Sequence, residues 1–278
     1  MALVVRPNTG AELAVHELGG TGPPLVMVHA AGLHGLVWGP VATHLARSFR
    51  CLAPDVAGHG YSAPAPADRT DWPTLAEDVL ATVDELGLER PYGLGHSMGA
   101  TLLLLAEQTR PGLFAGLYCF EPIGVASDEA FPASFDHPMA IRARRRRPEF
   151  ESREAAVEAF GAKRPFSGVT AEALAAYVEH GFVDTGHGTV ALRCSPDHEA
   201  DVFAHGLSHP AFHDLERVRC PTTFAVGARS EVLSPDVLQR WAERMPAATV
   251  EVVADSGHFA PLEVPSALAA AVARALVG

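Results

Sequence analysis

The sequence is short of positive charge. In 278 residues, 21 Lys and Arg face 33 Asp and Glu, a formal net charge of −12. A nucleic-acid backbone needs a broad basic face, and an anionic membrane surface needs a basic patch, so neither is expected as a partner. Long apolar runs are also missing. Ala100 to Ala106, with Thr101 inside it, is far too short to span a bilayer. The tail from Ala267 to Val277 carries Arg274 and reads as a packed helix. No basic segment precedes a long apolar stretch at the start, so a secretory signal is not expected. Cysteine is sparse: Cys51, Cys119, Cys194 and Cys220 lie far apart and form no CxxC pair. That excludes the usual spacing of a structural zinc site and points to reduced thiols in a cytoplasmic protein. Charged residues make up 19% against 48% hydrophobic, so the chain can bury a sizeable core and is not expected to be disordered.

What is present alternates. Pro24 to His29, Cys51 to Asp55, Pro91 to His96 and Gly116 to Glu121 are short apolar runs of strand length. Helical patterns separate them at Trp38 to Ser48, Thr74 to Leu86 and Met98 to Thr109. Thr74 and Glu77 form a capping box, and Leu75, Val79, Val83 and Leu86 share one face. Val4-Val5 and Leu13 to His16, joined by a turn over Pro7 to Gly10, predict an antiparallel opening hairpin. Strands separated by helices imply a mainly parallel sheet with helices on both faces. Between about Gly124 and Val218 the strand runs stop. Helical stretches at His137 to Arg147, Ser152 to Phe160 and Thr170 to His180 suggest a helical insertion. The alternation then resumes with Pro221 to Val226, a helix from Pro235 behind Ser234 as N-cap, Thr249 to Val253, and a last helix from Pro265.

The chemistry lies in Gly95-His-Ser-Met-Gly99. A serine between a strand and a helix must turn sharply, and flanking glycines leave room for that turn. Ser97 then stands at a helix N-terminus, where free N–H groups and the dipole favour developing negative charge. A serine hydroxyl needs a base. His258, after the last strand and before the last helix, lies in a loop at the same sheet edge. The imidazole needs a carboxylate to fix its tautomer. Glu231, after the penultimate strand, is the first choice. Glu121, ending the strand after the nucleophile helix, is the alternative acid, and Asp255 reads as a loop-capping residue.

These motifs resemble the α/β-hydrolase superfamily. Ser97, Glu231 and His258 follow that family's nucleophile–acid–histidine order. His29-Ala-Ala-Gly32 with Trp38 resembles its H-G-x-x motif, and Asp55-Val-Ala-Gly-His-Gly60-Tyr-Ser62 its D-x-x-G-x-G-x-S segment. The resemblance implies an α/β fold with a mostly parallel eight-stranded sheet flanked by helices. It assigns residues 1–123 and 219–278 to the hydrolase core and 124–218 to a helical cap insertion. It further implies an oxyanion hole from the backbone N–H groups of Ala31 and Met98, and substrate contacts from His29, Trp38 and His96. Ala30 stands where the family usually has glycine, which leaves that loop less free to take positive φ.

The expected function is serine hydrolysis of a carboxylic ester or lactone of a small, largely apolar substrate, without cofactor or metal, in a monomer or homodimer. Ser97 argues against the aspartate-nucleophile relatives. The alternatives are a ligand receptor, lyase or cyclase on the same fold, or a carbon–carbon bond hydrolase. Two features read as bland. The run Arg142 to Arg147 reads as a solvated helix face paired with Glu149, Glu151 and Glu154. His205, His209 and His213 are spaced by four but interrupted by Pro210, so they suggest no metal site.

Overall fold

A computed structural model describes residues 3–5, 12–64, 69–124, 132–163 and 166–278. The strands are β1 (Leu3–Val5), β2 (Leu13–Gly19), β3 (Pro24–Val28), β4 (Arg50–Pro54), β5 (Tyr92–His96), β6 (Gly116–Phe120), β7 (Glu149–Phe150), β8 (Phe182–Asp184), β9 (Val190–Leu192), β10 (Thr222–Gly227) and β11 (Ala248–Val253). The helices are α1 (Gly39–Leu45), α2 (Trp72–Glu85), α3 (Met98–Thr109), α4 (Pro138–Arg144), α5 (Arg153–Gly161), α6 (Ala171–Gly181), α7 (Pro196–Ala204), α8 (Pro235–Ala242), α9 (Ala260–Glu263) and α10 (Pro265–Val277). Eight strands form one sheet in the order β1-β2-β4-β3-β5-β6-β10-β11. The expected hairpin is there: β1 pairs antiparallel with β2, and β2 antiparallel with β4. Its turn at Pro7 to Gly10 lies outside the described residues. Every pairing from β4 to β11 is parallel.

The sheet is buried on both faces, and alternate residues of each strand go to different cores. Val26, Val28, Leu52, Leu117, Cys119, Phe224 and Val226 pack with α2, α3 and α8. Leu25, Met27, Cys51, Ala53, Leu94, Tyr118, Phe120 and Ala225 pack with α1 and α10. Helix α3 is largely apolar up to Ala106 and buried almost throughout, as such a helix must be. Helix α2 begins three residues before the capping box predicts. Its N-cap is Asp71, whose Oδ1 accepts the Thr74 N–H at 3.0 Å, and Pro73 fills the first turn.

The segment between β6 and β10 is not wholly helical. Besides α4 to α7 it carries a small antiparallel sheet, β7-β9-β8. These strands are two or three residues long, too short for a period of two to show in the sequence. The segment lies over the carboxyl ends of the large sheet's strands. Phe150, Tyr177, Phe182 and Leu174 pack against Ala30, Leu33 and Val37, which follow β3. No described helix is long and apolar enough to cross a membrane.

Candidate active site

Ser97 sits between β5 and α3 with φ 54° and ψ −119°, a conformation that costs a non-glycine residue about 1–3 kcal/mol. The glycines allow it. A Cβ at Gly95 would collide with Ala100, and one at Gly99 with the carbonyl oxygens of Val28 and His29. The Ser97 N–H donates to the Phe120 carbonyl at 2.9 Å, which ties the elbow to β6. Met98, the first helical residue, has an N–H with no partner inside its helix. The loop carrying Ala31 leaves β3 beside the elbow, since Val28 pairs with Gly95. The left-handed residue of this loop is Gly32, at φ 72°, not Ala30, so alanine at position 30 needs no strained backbone.

The carboxylate that meets His258 is Glu121, the alternative, and not Glu231. His258 Nδ1 donates to Glu121 Oε2 at 2.6 Å, and Glu121 is fully buried. Glu121 Oε1 accepts the Gly227 N–H at 2.9 Å, and Oε2 also accepts the Ser230 hydroxyl at 2.8 Å. Glu231 is exposed instead. The loop after β10 thus supplies donors to a carboxylate just past β6, not the carboxylate itself. Two approaches explain this. Strand β10 lies next to β6 in the sheet, so both carboxylates start from the same edge. A Cβ at Gly227 would lie 2.6 Å from the carbonyl oxygens of Ser256 and Gly257, so the loops press together there and Glu231, four residues on, is carried to solvent. Asp255 is also solvent-facing, 3.7 Å from Arg229. His258 Nε2 has no hydrogen-bond partner among the described residues. The Ser97 side chain makes no hydrogen bond among the described residues.

Three expected substrate contacts are placed elsewhere. His29 is fully buried; its Nδ1–H donates to the Ala30 carbonyl at 2.8 Å and its Nε2 accepts the Val56 N–H at 3.0 Å. Both nitrogens are used, so it braces the loop before Ala31. Burial lowers its pKa, which keeps the ring neutral. Trp38 is buried among Leu25, Met27, Val41 and Leu45 in the core beneath α1, because the turn of 3-10 helix from Gly35 to Trp38 points it inward. His96 donates from Nε2 to the His258 carbonyl at 2.8 Å, and the two rings lie 4.9 Å apart. Burial pushes its pKa well down. It therefore holds the backbone of His258 in place.

Asp55 holds the flanking loops. Its Oδ1 accepts the Gly35 N–H at 2.5 Å, and its Oδ2 accepts the Tyr61 N–H at 2.7 Å and His16 Nε2–H at 2.8 Å. Burial works against ionisation, but the bond to His16 and the nearby imidazoles hold this carboxyl down at about 2.

Residues of the insertion reach the same edge. Phe166 lies 5.6 Å from Phe259, the neighbour of His258, and stacks on Tyr177 at 4.9 Å. Arg146, expected on a solvated face, is mostly buried and donates to Glu199 and to the Tyr177 hydroxyl. Arg147 does pair with Glu151, four residues on, at 2.7 Å. The signal for Arg146 was available only as a helix-end arginine near Phe150 and Phe160; its partner Glu199 is 53 residues away.

Residues 23–265 match the family described as alpha/beta hydrolase fold. The chain is 28% identical over 247 residues to N-formylmaleamate deformylase of Pseudomonas putida, covering 87% of this chain and 84% of that protein. It is 36% identical over 105 residues to a pimeloyl-[acyl-carrier protein] methyl ester esterase of Methylococcus capsulatus, 36% of this chain and 37% of that one. Among solved structures, E-2-(acetamidomethylene)succinate hydrolase superposes with a TM-score of 0.85 at 21% identity, over 100% of this chain and 99% of the other. At that identity the likeness shows the fold.

Proposed function

The chain belongs to the alpha/beta hydrolase fold family, and we propose that it is a serine hydrolase working through Ser97, His258 and Glu121. The observation that carries this reading is the 2.6 Å bond from His258 Nδ1 to a buried carboxylate at the edge where Ser97 stands. His258 Nε2 takes the Ser97 proton as Oγ attacks an acyl carbon. The backbone N–H groups of Ala31 and Met98 meet the oxyanion; one such donor is worth roughly 2.7–4 kcal/mol. The tetrahedral adduct collapses to an acyl-enzyme as His258 returns the proton to the leaving group. Water, deprotonated by His258, then frees the acid and restores Ser97.

The scissile bond in this reading is the carboxylic ester or lactone of a small, largely apolar substrate. The aromatic cluster of Phe160, Phe166, Tyr177 and Phe259, which borders His258, supports that choice. The insertion acts as the cap over it, with residues 124–218 as its bounds. A second reading, hydrolysis of a carbon–nitrogen acyl bond, is favoured by the resemblance to a deformylase along most of the chain. The test is a panel of p-nitrophenyl esters and matched anilides with wild type and Ser97→Ala, plus fluorophosphonate labelling. Ser97→Ala is expected to lose activity on the order of 10⁶-fold and all labelling. Equal turnover by both proteins would refute the reading.

A further inference from the structure

The carboxylate that meets His258 is gripped from a second side. Glu121 has a left-handed backbone, at φ 47°, which a non-glycine residue keeps only where its surroundings over-determine it. Those surroundings are β10 and the turn that follows it. The Glu121 N–H donates to the Ala225 carbonyl at 2.8 Å. From the turn, the Gly227 N–H meets Oε1 at 2.9 Å and the Ser230 hydroxyl meets Oε2 at 2.8 Å. Oε2 is also the oxygen that His258 Nδ1–H reaches at 2.6 Å. One oxygen thus receives both the histidine and the serine.

The aim of the Ser230 hydroxyl follows from its other contacts. Its oxygen accepts the N–H groups of Val232 at 3.1 Å and Leu233 at 3.3 Å. A hydroxyl has two acceptor lone pairs and one proton. With both lone pairs engaged, the proton is left for Glu121. The turn itself is pinned. The Ser230 N–H closes it on the Gly227 carbonyl at 3.0 Å, and the Ala228 N–H donates to the Val253 carbonyl at 2.9 Å. The Arg229 N–H donates at 2.8 Å to the carbonyl of Ser256, which lies in the loop that carries His258. Ala228 and Arg229 face solvent, while Ser230 is half-buried and turned inward.

A glutamate carboxylate rotates broadly about its last torsion, and such a rotation would carry Oε2 off Nδ1. The turn opposes it by holding each oxygen with its own donor. We propose that Ser230 is a positioning residue: with the Gly227 N–H, its hydroxyl fixes the rotation of the Glu121 carboxylate, so that Oε2 stays on His258 Nδ1 while the imidazole moves the Ser97 proton. It acts through Glu121 and touches no substrate. This inference rests on the serine-hydrolase reading above.

The test is steady-state kinetics on a p-nitrophenyl ester, with kcat counted per fluorophosphonate-reactive site so that an unfolded fraction does not imitate the effect. In Ser230→Ala, kcat is expected to fall about 10- to 100-fold, the change equivalent to one lost hydrogen bond to a charged group. KM should stay within about 2-fold, because the lost contact is not with substrate. Ser230→Thr keeps the hydroxyl and should recover most of the loss. A kcat in Ser230→Ala within about 2-fold of wild type would overturn the proposal, as would a loss carried by KM alone. A loss that Ser230→Thr shares in full also overturns it. Should Ser230→Ala not fold, Ser230→Cys decides: it keeps the side chain's shape with only a weak S–H donor, and undiminished kcat there overturns the assignment. If wild type turns over no ester and Ser97 takes no fluorophosphonate, the serine-hydrolase reading itself has failed. An active, labelled wild type with an indifferent position 230 condemns only the role of Ser230.

Discussion

The large sheet and the segment laid over its edge are built differently. In the sheet, position along a strand decides environment: Leu25 and Val26 are neighbours, yet each belongs to a different core. Apolar residues do nearly all the packing. In the insertion the contacts are mixed. Helices α4 and α7 meet through Ala140, Ala143, Ala200 and Ala204, flanked by Arg144–Asp201 at 2.7 Å and the buried Arg146–Glu199 pair. Its seam with the sheet loops runs through histidines: His34 Nε2 to the Tyr177 carbonyl at 3.1 Å, His198 Nε2 to the Ala57 carbonyl at 3.2 Å, and the Tyr61 hydroxyl to His180 Nδ1 at 3.2 Å. The sheet positions the reacting groups through backbone geometry. The insertion adds polar groups whose cost of burial must be offset one partner at a time.

The largest expected effect lies on the sheet side and separates two carboxylates. Glu121→Gln keeps the shape but cannot hold His258 in the Nδ1–H tautomer, so kcat/KM on a simple ester should fall about 10⁴-fold. Glu231→Gln should stay within about 2-fold, because that side chain is at the surface. Steady-state kinetics on both variants check this. Comparable losses in the two would return the acid to the loop after β10.

That contrast also shows what could be read from one dimension. The strands, the elbow and His258 were legible because each depends on local pattern: an apolar run, two glycines around a serine, a histidine in the loop after the last strand. Ranking Glu121 over Glu231 required knowing how β6 and β10 lie side by side, which no local pattern records. Glu121 directly follows a strand buried at every position, so its side chain begins inside the protein. Glu231 lies four residues beyond its strand and reaches the surface. The partnership of Arg146 with Glu199 and Tyr177 depends on contacts across 31 to 53 residues, and the three strands of the insertion are too short to leave a pattern.

The next effect belongs to the insertion. Arg146→Met leaves Glu199 buried without its cation and should lower unfolding stability by about 3–5 kcal/mol. Adding Glu199→Leu removes the stranded charge and should recover most of that loss, since an apolar pair of similar volume is often neutral or better. Denaturant titrations of wild type, both single variants and the double variant measure the coupling. Strictly additive losses would mean the pair does not act as a unit, and the insertion would then be held by apolar packing like the sheet.

The smallest of these effects is graded by pH. His34 is 1% exposed, and burial holds its pKa down at about 4, with His29 and His180 adding to the effect and Asp55 opposing it. Burial lowers His198 and His180 as well. A free imidazole titrates near 6.5, so an opened form binds protons more readily than the closed one. The closed seam is therefore fully favoured above about pH 6.5 and loses stability as pH falls toward about 4, where His34 alone accounts for about 3 kcal/mol. Asp78, on α2, runs the other way: burial raises its carboxyl to about 6, so the closed form gains a proton over the same interval. It accepts the Ala57 N–H at 3.0 Å, which supports the core end of the seam while the imidazoles weaken the other. Hydrogen exchange in α6 and α7, corrected for intrinsic rates, should therefore accelerate at a higher pH than exchange in β3, β5 and β6. If the sheet loosens first or both loosen together, the insertion is not the acid-sensitive region, because a common loss would place the controlling protons on the buried core histidines His29, His59 and His96 instead.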